Sequence, residues 1–169
     1  TFLPDGMSND VEQECRHYEQ TMGELGGIDL QLLGIGRAGH IGFNEPLSAL
    51  RSRTRAKALT PLTVSENSGE FDDPARMPRR AITMGVGTIL EARRIILLAS
   101  GESKAEAIAQ SIEGPVTSMY TASALQLHPR TLALLDAAAA TETVVEEVVC
   151  LTPGLVDIVR TRVSKWAGT

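Results

Sequence analysis

The sequence predicts an α/β fold, a mostly parallel sheet flanked by helices. Short apolar stretches of strand length recur along the chain, helix-patterned stretches separate them, and no internal repeat or long linker interrupts the alternation. In such folds function gathers in the loops beyond the carboxyl ends of the strands.

From Asp10 onward the apolar positions Val11, Cys15, Tyr18, Met22 and Leu25 recur at three- and four-residue steps, which predicts an amphipathic helix ending at Gly26-Gly27. Ile28 to Leu33 follows as a buried strand running into Gly34-Ile35-Gly36. Ala81–Met84, Arg94–Ala99 and Thr131–Leu135 read as three further strands, with a helical segment near Val86 to Ala92. Gly101-Glu102-Ser103 opens a helix over Lys104 to Ile112, and Val156, Val159 and Val163 predict a closing helix over Gly154 to Trp166. Pro61 to Arg80, polar and carrying Pro74 and Pro78, is the candidate for a mobile flap.

The 169 residues, 43% hydrophobic and 22% charged, fit a single soluble domain over 1–169. A net charge of −5 with dispersed Lys and Arg argues against nucleic acid as a partner. Apolar runs such as Ile95 to Ala99 are too short to span a membrane. Cys15 and Cys150 lie far apart, outside any metal-type spacing, and no secretory leader pattern is present, so a metal-free, cytoplasmic protein is expected. The start at Thr1, inside what reads as a structural unit, suggests a truncated sequence.

The chemistry is concentrated in Gly34-Ile35-Gly36-Arg37-Ala38-Gly39-His40-Ile41-Gly42-Phe43-Asn44-Glu45-Pro46, directly after the first strand. Its four glycines allow a tight turn and close approach to a ligand. His40 exchanges protons near neutral pH, and Glu45 is a carboxylate able to orient it and support its charged form. The alternative for His40 is a turn residue that only caps the backbone. A dinucleotide fingerprint does not fit, since Gly39 is misplaced for the third glycine and Pro46 interrupts any following helix.

This loop, followed by Ser52-Arg53-Thr54-Arg55, then Ala81-Ile82-Thr83-Met84-Gly85-Val86-Gly87-Thr88, then Ser123-Ala124-Leu125-Gln126-Leu127-His128-Pro129, resembles the successive signatures of the glucosamine-6-phosphate deaminase family. The similarity covers nearly the whole chain and weakens after about Asp136. It implies a Rossmann-like fold of the deaminase, ribose-phosphate isomerase and CoA-transferase kind, truncated at its N-terminus.

The resemblance implies that His40 assists opening of the sugar ring and that Glu45 supports it. Gly36 and Gly39 of the loop would line the substrate, and Lys104 would bind its phosphate. The family pattern carries an aspartate where this sequence has Ala38, a loss expected to weaken the histidine's hold on its proton. A flap arginine is replaced by Gly69. Some relatives are hexamers with an effector site between subunits, and Ser48, Arg55 and Lys57 match its residues, with Ala49 departing. The other reading of Arg51, Arg53, Arg55 and Lys57 is a solvated alternating strand. His128 is expected to be structural and His17 a helix-surface residue.

A glycine-serine phosphate loop and the aspartate that moves the C2 proton have no counterpart here. The chain thus reads as the C-terminal part of a larger sugar-phosphate isomerase-like domain, a poor catalyst alone. The implied reaction converts glucosamine 6-phosphate to fructose 6-phosphate and ammonium without metal or organic cofactor, in a protein able to form homo-oligomers. The alternatives are a related sugar-phosphate enzyme such as a 6-phosphogluconolactonase, and a catalytically degenerate sugar-phosphate-binding regulatory domain.

Overall fold

The computed structural model describes residues 1–143 and, in backbone, 158–162. The first helix, α1 (Val11–Glu24), starts where the sequence signals it, with the Asp10 side chain accepting from the Gln13 N–H. It stops at Gly26 and Gly27, both at positive φ near +85°. The strand that follows is shorter than its apolar run: β1 is Gln31–Gly34.

Three parallel strands form the centre of the molecule. Strand β4 (Ile95–Ala99) lies between β1 and β5 (Thr131–Asp136), with Leu33, Leu97 and Ala133 in register across the sheet. On one face Leu33, Ile95, Leu97, Ala133 and Leu135 are buried. Ile89 of α3 (Val86–Leu90), Ala107 and Ile108 of α4 (Ala105–Ile112), and Ala122 and Leu125 of the 3-10 turn Thr121–Leu127 pack into the same core. The α4 helix follows from spacing: Ala105, Ile108 and Ile112 fall on one side at three- and four-residue steps.

The opposite face is apolar as well. Leu32, Ile96 and Leu132 form one register row, and Leu98 and Leu134 pair in another. Leu32 is 58% exposed and Leu98 42%. Parallel strands with apolar residues on both faces are normally covered on both.

Two expectations are corrected. Ala81–Met84 does not join the parallel sheet: β3 (Arg80–Thr83) pairs antiparallel with β2 (Arg55–Ala58) in a separate two-stranded ribbon. The reason lies in its flanks, because an exposed Arg80 on a four-residue strand suits a half-solvated ribbon and not a strand buried on both faces. Across Ile158–Arg162 the expected closing helix is instead a strand, β6, antiparallel to β5. A run rich in β-branched residues, Ile158, Val159 and Thr161, favours the extended backbone there. The remainder of that expected helix lies outside the described residues. Pro61 to Arg80 is not bare loop either, since it holds α2 (Pro61–Asn67) and two 3-10 turns.

Between α1 and the β2–β3 ribbon, Glu19 is the hub. Its carboxylate accepts from the Thr54 N–H and hydroxyl, the Thr88 hydroxyl and the Arg53 guanidinium, which also reaches Glu91. Burial by itself raises the Glu19 pKa, but the hydrogen bonds from Thr54, Thr88 and Arg53 outweigh it and hold the acid below its ordinary value.

No helix among the described residues is long and apolar enough to cross a membrane. Replacing Leu97, 2% exposed at the centre of the parallel sheet, by alanine is expected to cost about 2–4 kcal/mol. Urea unfolding of wild type and variant checks this, as a lowered midpoint at unchanged slope.

Candidate active site

The loop after β1 folds back sharply because its glycines occupy conformations other residues resist. Gly39 and Gly42 have φ of +69° and +55°, and Gly39 donates to the Gly36 carbonyl at 2.9 Å to close a turn. Gly36 in turn donates to the carbonyl of His40 at 2.9 Å. A Cβ on Gly36 would lie 2.2 Å from His40 Nε2, so only glycine leaves room for the imidazole. At Gly39 a Cβ would strike the Tyr120 ring at 2.3 Å.

His40 and Glu45 are brought together. His40 Nδ1 lies 3.3 Å from Glu45 Oε2, with side chains 9% and 3% exposed. The contact is within ion-pair reach but off the line of a hydrogen bond, so both atoms keep bonding capacity to spare. The other oxygen of Glu45 accepts from the Thr60 N–H at 3.1 Å, just ahead of α2.

Lys104 comes to the same place from β4. After that strand, Gly101 turns at φ +86° with its N–H donating to the Asp136 carboxylate, and Lys104 caps α4. Since β1 and β4 run parallel, both loops leave the same end of the sheet. Lys104 is close enough that its charge acts on His40.

Burial pushes the His40 pKa down from its ordinary 6.5. Glu45 and Glu66 act in the other direction, Lys104 acts with burial, and burial prevails. His40 is therefore neutral at pH 7 and free to accept a proton. Ala38 supplies no carboxylate to this balance, and Gly69, on the 3-10 turn Ser68–Glu70, projects no side chain toward it.

Sequence reasoning passed over Asn44. Its side chain is fully buried, donating to the carbonyls of Ile41 at 2.9 Å and Met84 at 2.8 Å and accepting from Arg55 at 2.9 Å. The Thr121 hydroxyl donates to its backbone carbonyl. The available signal was an amide beside Glu45 in a glycine loop, a residue type that can both donate and accept.

Ser48 is buried in the glycine loop's continuation, and Arg55 and Lys57 lie two residues apart on β2. A cavity of about 670 Å³ opens between α1 and β2, lined by Cys15, Arg16, Glu19, Arg53, Arg55 and Arg80 among others. Of the three residues only Arg55 lines it, and His40 and Lys104 do not. The reading of this stretch as a merely solvated strand fails at Arg53 and Arg55, which are tied to Glu19, Glu91 and Asn44. His128 is buried and structural, its Nε2 2.7 Å from the Ala92 carbonyl, and His17 is exposed on α1. Cys15 is a buried free thiol, and Cys150 lies outside the described residues. Among the described residues no cluster of three or more His, Cys, Asp or Glu side chains could hold a metal ion.

A parallel α/β sheet thus carries, in the loops at one end, a buried histidine–carboxylate pair and a lysine, groups able to exchange a proton and to attract an anion. The family model described as glucosamine-6-phosphate isomerases/6-phosphogluconolactonase matches residues 2–134, and the chain belongs to that family. It is 55% identical over 140 residues to a glucosamine-6-phosphate deaminase of Streptomyces coelicolor, covering 82% of this chain and 54% of the relative. A deaminase of Hahella chejuensis is 53% identical over 142 residues, covering 84% and 54%. The chain thus spans about half the length of the curated relatives it matches. A solved monomeric glucosamine-6-phosphate deaminase superposes with a TM-score of 0.81 at 48% identity, over 83% of this chain and 58% of that one. A 6-phosphogluconolactonase from Trypanosoma cruzi shares the fold with a TM-score of 0.61 at 21% identity, over 82% and 55%.

The pKa of His40 makes a pH prediction. A histidine whose folded pKa lies below its unfolded value favours folding at higher pH, and that contribution is lost as pH falls from 6.5 through the folded value. In a histidine NMR titration, His40 is expected to show a midpoint below the ordinary one. Glu45→Gln should lower it further by removing a supporting charge. A midpoint in Glu45→Gln above that of wild type would contradict the assigned balance.

Proposed function

We propose that this chain supplies the histidine–glutamate loop and the phosphate-binding lysine of a glucosamine-6-phosphate deaminase. The observation that carries this is the buried His40–Glu45 pair at the end of β1, beside Lys104, in a chain 55% identical to a deaminase.

The geometry supports a definite opening step. Glu45 faces Nδ1, so Nε2, given room by Gly36, is the atom turned to substrate. Neutral His40 takes the proton of the C1 hydroxyl and delivers one to the ring oxygen. The bond between C1 and that oxygen breaks as the C1 carbonyl forms. While His40 carries the proton, Glu45 stabilises its charge across 3.3 Å. Transfer of the C2 proton to C1 falls to a base outside the His40, Glu45 and Lys104 set. It leaves an imine at C2, which water hydrolyses to fructose 6-phosphate and ammonium. Lys104 at the α4 N-terminus meets the phosphate, where helix N–H groups and the ammonium favour the same anion. The backbone of Gly36 and Gly39 lines the sugar. None of these residues' roles calls for a metal or organic cofactor.

The proposal includes a cytoplasmic setting and residues 1–169 as one α/β unit within a larger sugar-phosphate isomerase-like domain. Self-association of complete chains also belongs to it, readable by sedimentation. An effector site between chains would rest on Ser48, Arg55 and Lys57, of which Arg55 lines the cavity beside α1. A lactonase reading is less favoured, because the likeness to lactonase structures, at 21% identity or less, extends to the fold alone.

Ammonium release from glucosamine 6-phosphate by the complete gene product tests the proposal. His40→Ala is expected to lower kcat by about 10²–10⁴-fold. Lys104→Ala should chiefly raise KM, by about tenfold, through loss of a charge-assisted phosphate contact. Absence of release from folded protein, with hydrolysis of phosphogluconolactone or binding without turnover in its place, would overturn the reading.

A further inference from the structure

One contact in the His40 site has no part in the scheme above. Arg37, inside the glycine loop, lies with its Nε 3.5 Å from Glu66 Oε1, and Glu66 belongs to α2. The Glu66 side chain is 26% exposed against 55% for Arg37, so the carboxylate is the more enclosed partner. The same short helix is held at its other end, where the Thr60 N–H donates to Glu45 Oε1. Thr60 and Glu66 are six residues apart, about 9 Å along a helix. The helix and its cap therefore grip the loop at Arg37 and at Glu45, on either side of His40 in sequence.

We propose that Glu66 is a positioning residue for His40, fixing the glycine loop through Arg37 and placing a second carboxylate where the histidine takes up its proton. Charged groups act on His40 from each element around it: Glu45 from its own loop, Glu66 from α2, where it is paired with Arg37, and Lys104 from the start of α4. Of these, Glu45 and Glu66 favour the protonated ring, and Lys104 opposes it. Glu45 sits against Nδ1 and accepts from Thr60, and Glu66 is the second carboxylate that offsets Lys104. Its partner Arg37 holds it at 3.5 Å, against the glycine loop.

This inference rests on the proposed role of His40 in acid–base chemistry, but its first test does not need turnover. The Cε1 proton of His40 is followed by NMR from pH 4 to 9 in wild type, Glu66→Gln and Glu66→Asp of the complete protein, with His17 and His128 as internal references. Glu66→Gln is expected to lower the His40 midpoint by about half a unit, the scale of a partly screened carboxylate near a histidine. His17 should not move, and Glu66→Asp should recover part of the shift. The retained, dispersed signal of buried His128 reports that each variant is folded.

In the ammonium assay the acid limb of the kcat profile should move with the NMR midpoint, while KM changes less than twofold. An unmoved His40 midpoint in folded Glu66→Gln overturns the proposal for Glu66, and leaves the deaminase reading intact if His40→Ala still abolishes release. A shifted midpoint with no ammonium from any variant supports the role of Glu66 while removing the deaminase reading.

Discussion

The buried amide of Asn44 holds the architecture of the site together. An uncompensated amide in an apolar interior costs several kcal/mol, so its two N–H groups and its oxygen must all find partners. They find them on three different segments: the glycine loop at Ile41, the end of β3 at Met84, and Arg55 on β2. Through this one side chain the antiparallel ribbon is joined to the loop that follows the parallel sheet. Thr121 adds a fourth segment by donating to the Asn44 carbonyl. The position of Glu45, one residue on, follows from that anchoring.

With the loop fixed, the site becomes a matter of balancing burial against charge. His40 is enclosed enough that desolvation pulls its proton affinity down, while carboxylates from the loop and α2 limit the fall. The glycines contribute by absence. Gly36 gives up a side chain so that the imidazole can sit flat against the backbone, and Gly39 yields its space to Tyr120. A similar economy holds at Gly85, where a Cβ would meet the Ser52 carbonyl at 2.0 Å and force the segment ahead of β2 away from the start of α3.

The parts of this molecule most legible in the sequence were those governed by local pattern. Helix α1 and its stop, the helix after Gly101, strands β4 and β5, and the chemistry of the loop from Gly34 to Pro46 all follow from periodicity, caps and glycine spacing. Partner choice was not legible. Ile82 and Thr83 read as strand, but whether that strand pairs with β1 or β2 is decided by contacts some twenty residues or more away in sequence. The extended backbone of Ile158–Arg162 shows the same limit, since Val159, which fits a helical spacing in the sequence, lies in a strand paired with β5. Asn44, Thr60 and Glu66 escaped notice because each owes its role to a neighbour in space.

The apolar outer face of the sheet bears on how firmly anything lying against it would be held. Leu32 and Leu98 are exposed here, beside the rows that continue through Ile96, Leu132 and Leu134. Attraction between such faces is driven near room temperature by the release of ordered water, and it therefore strengthens on warming and fades in the cold. Any segment or partner that covers this face would therefore be held more firmly on warming and more loosely in the cold.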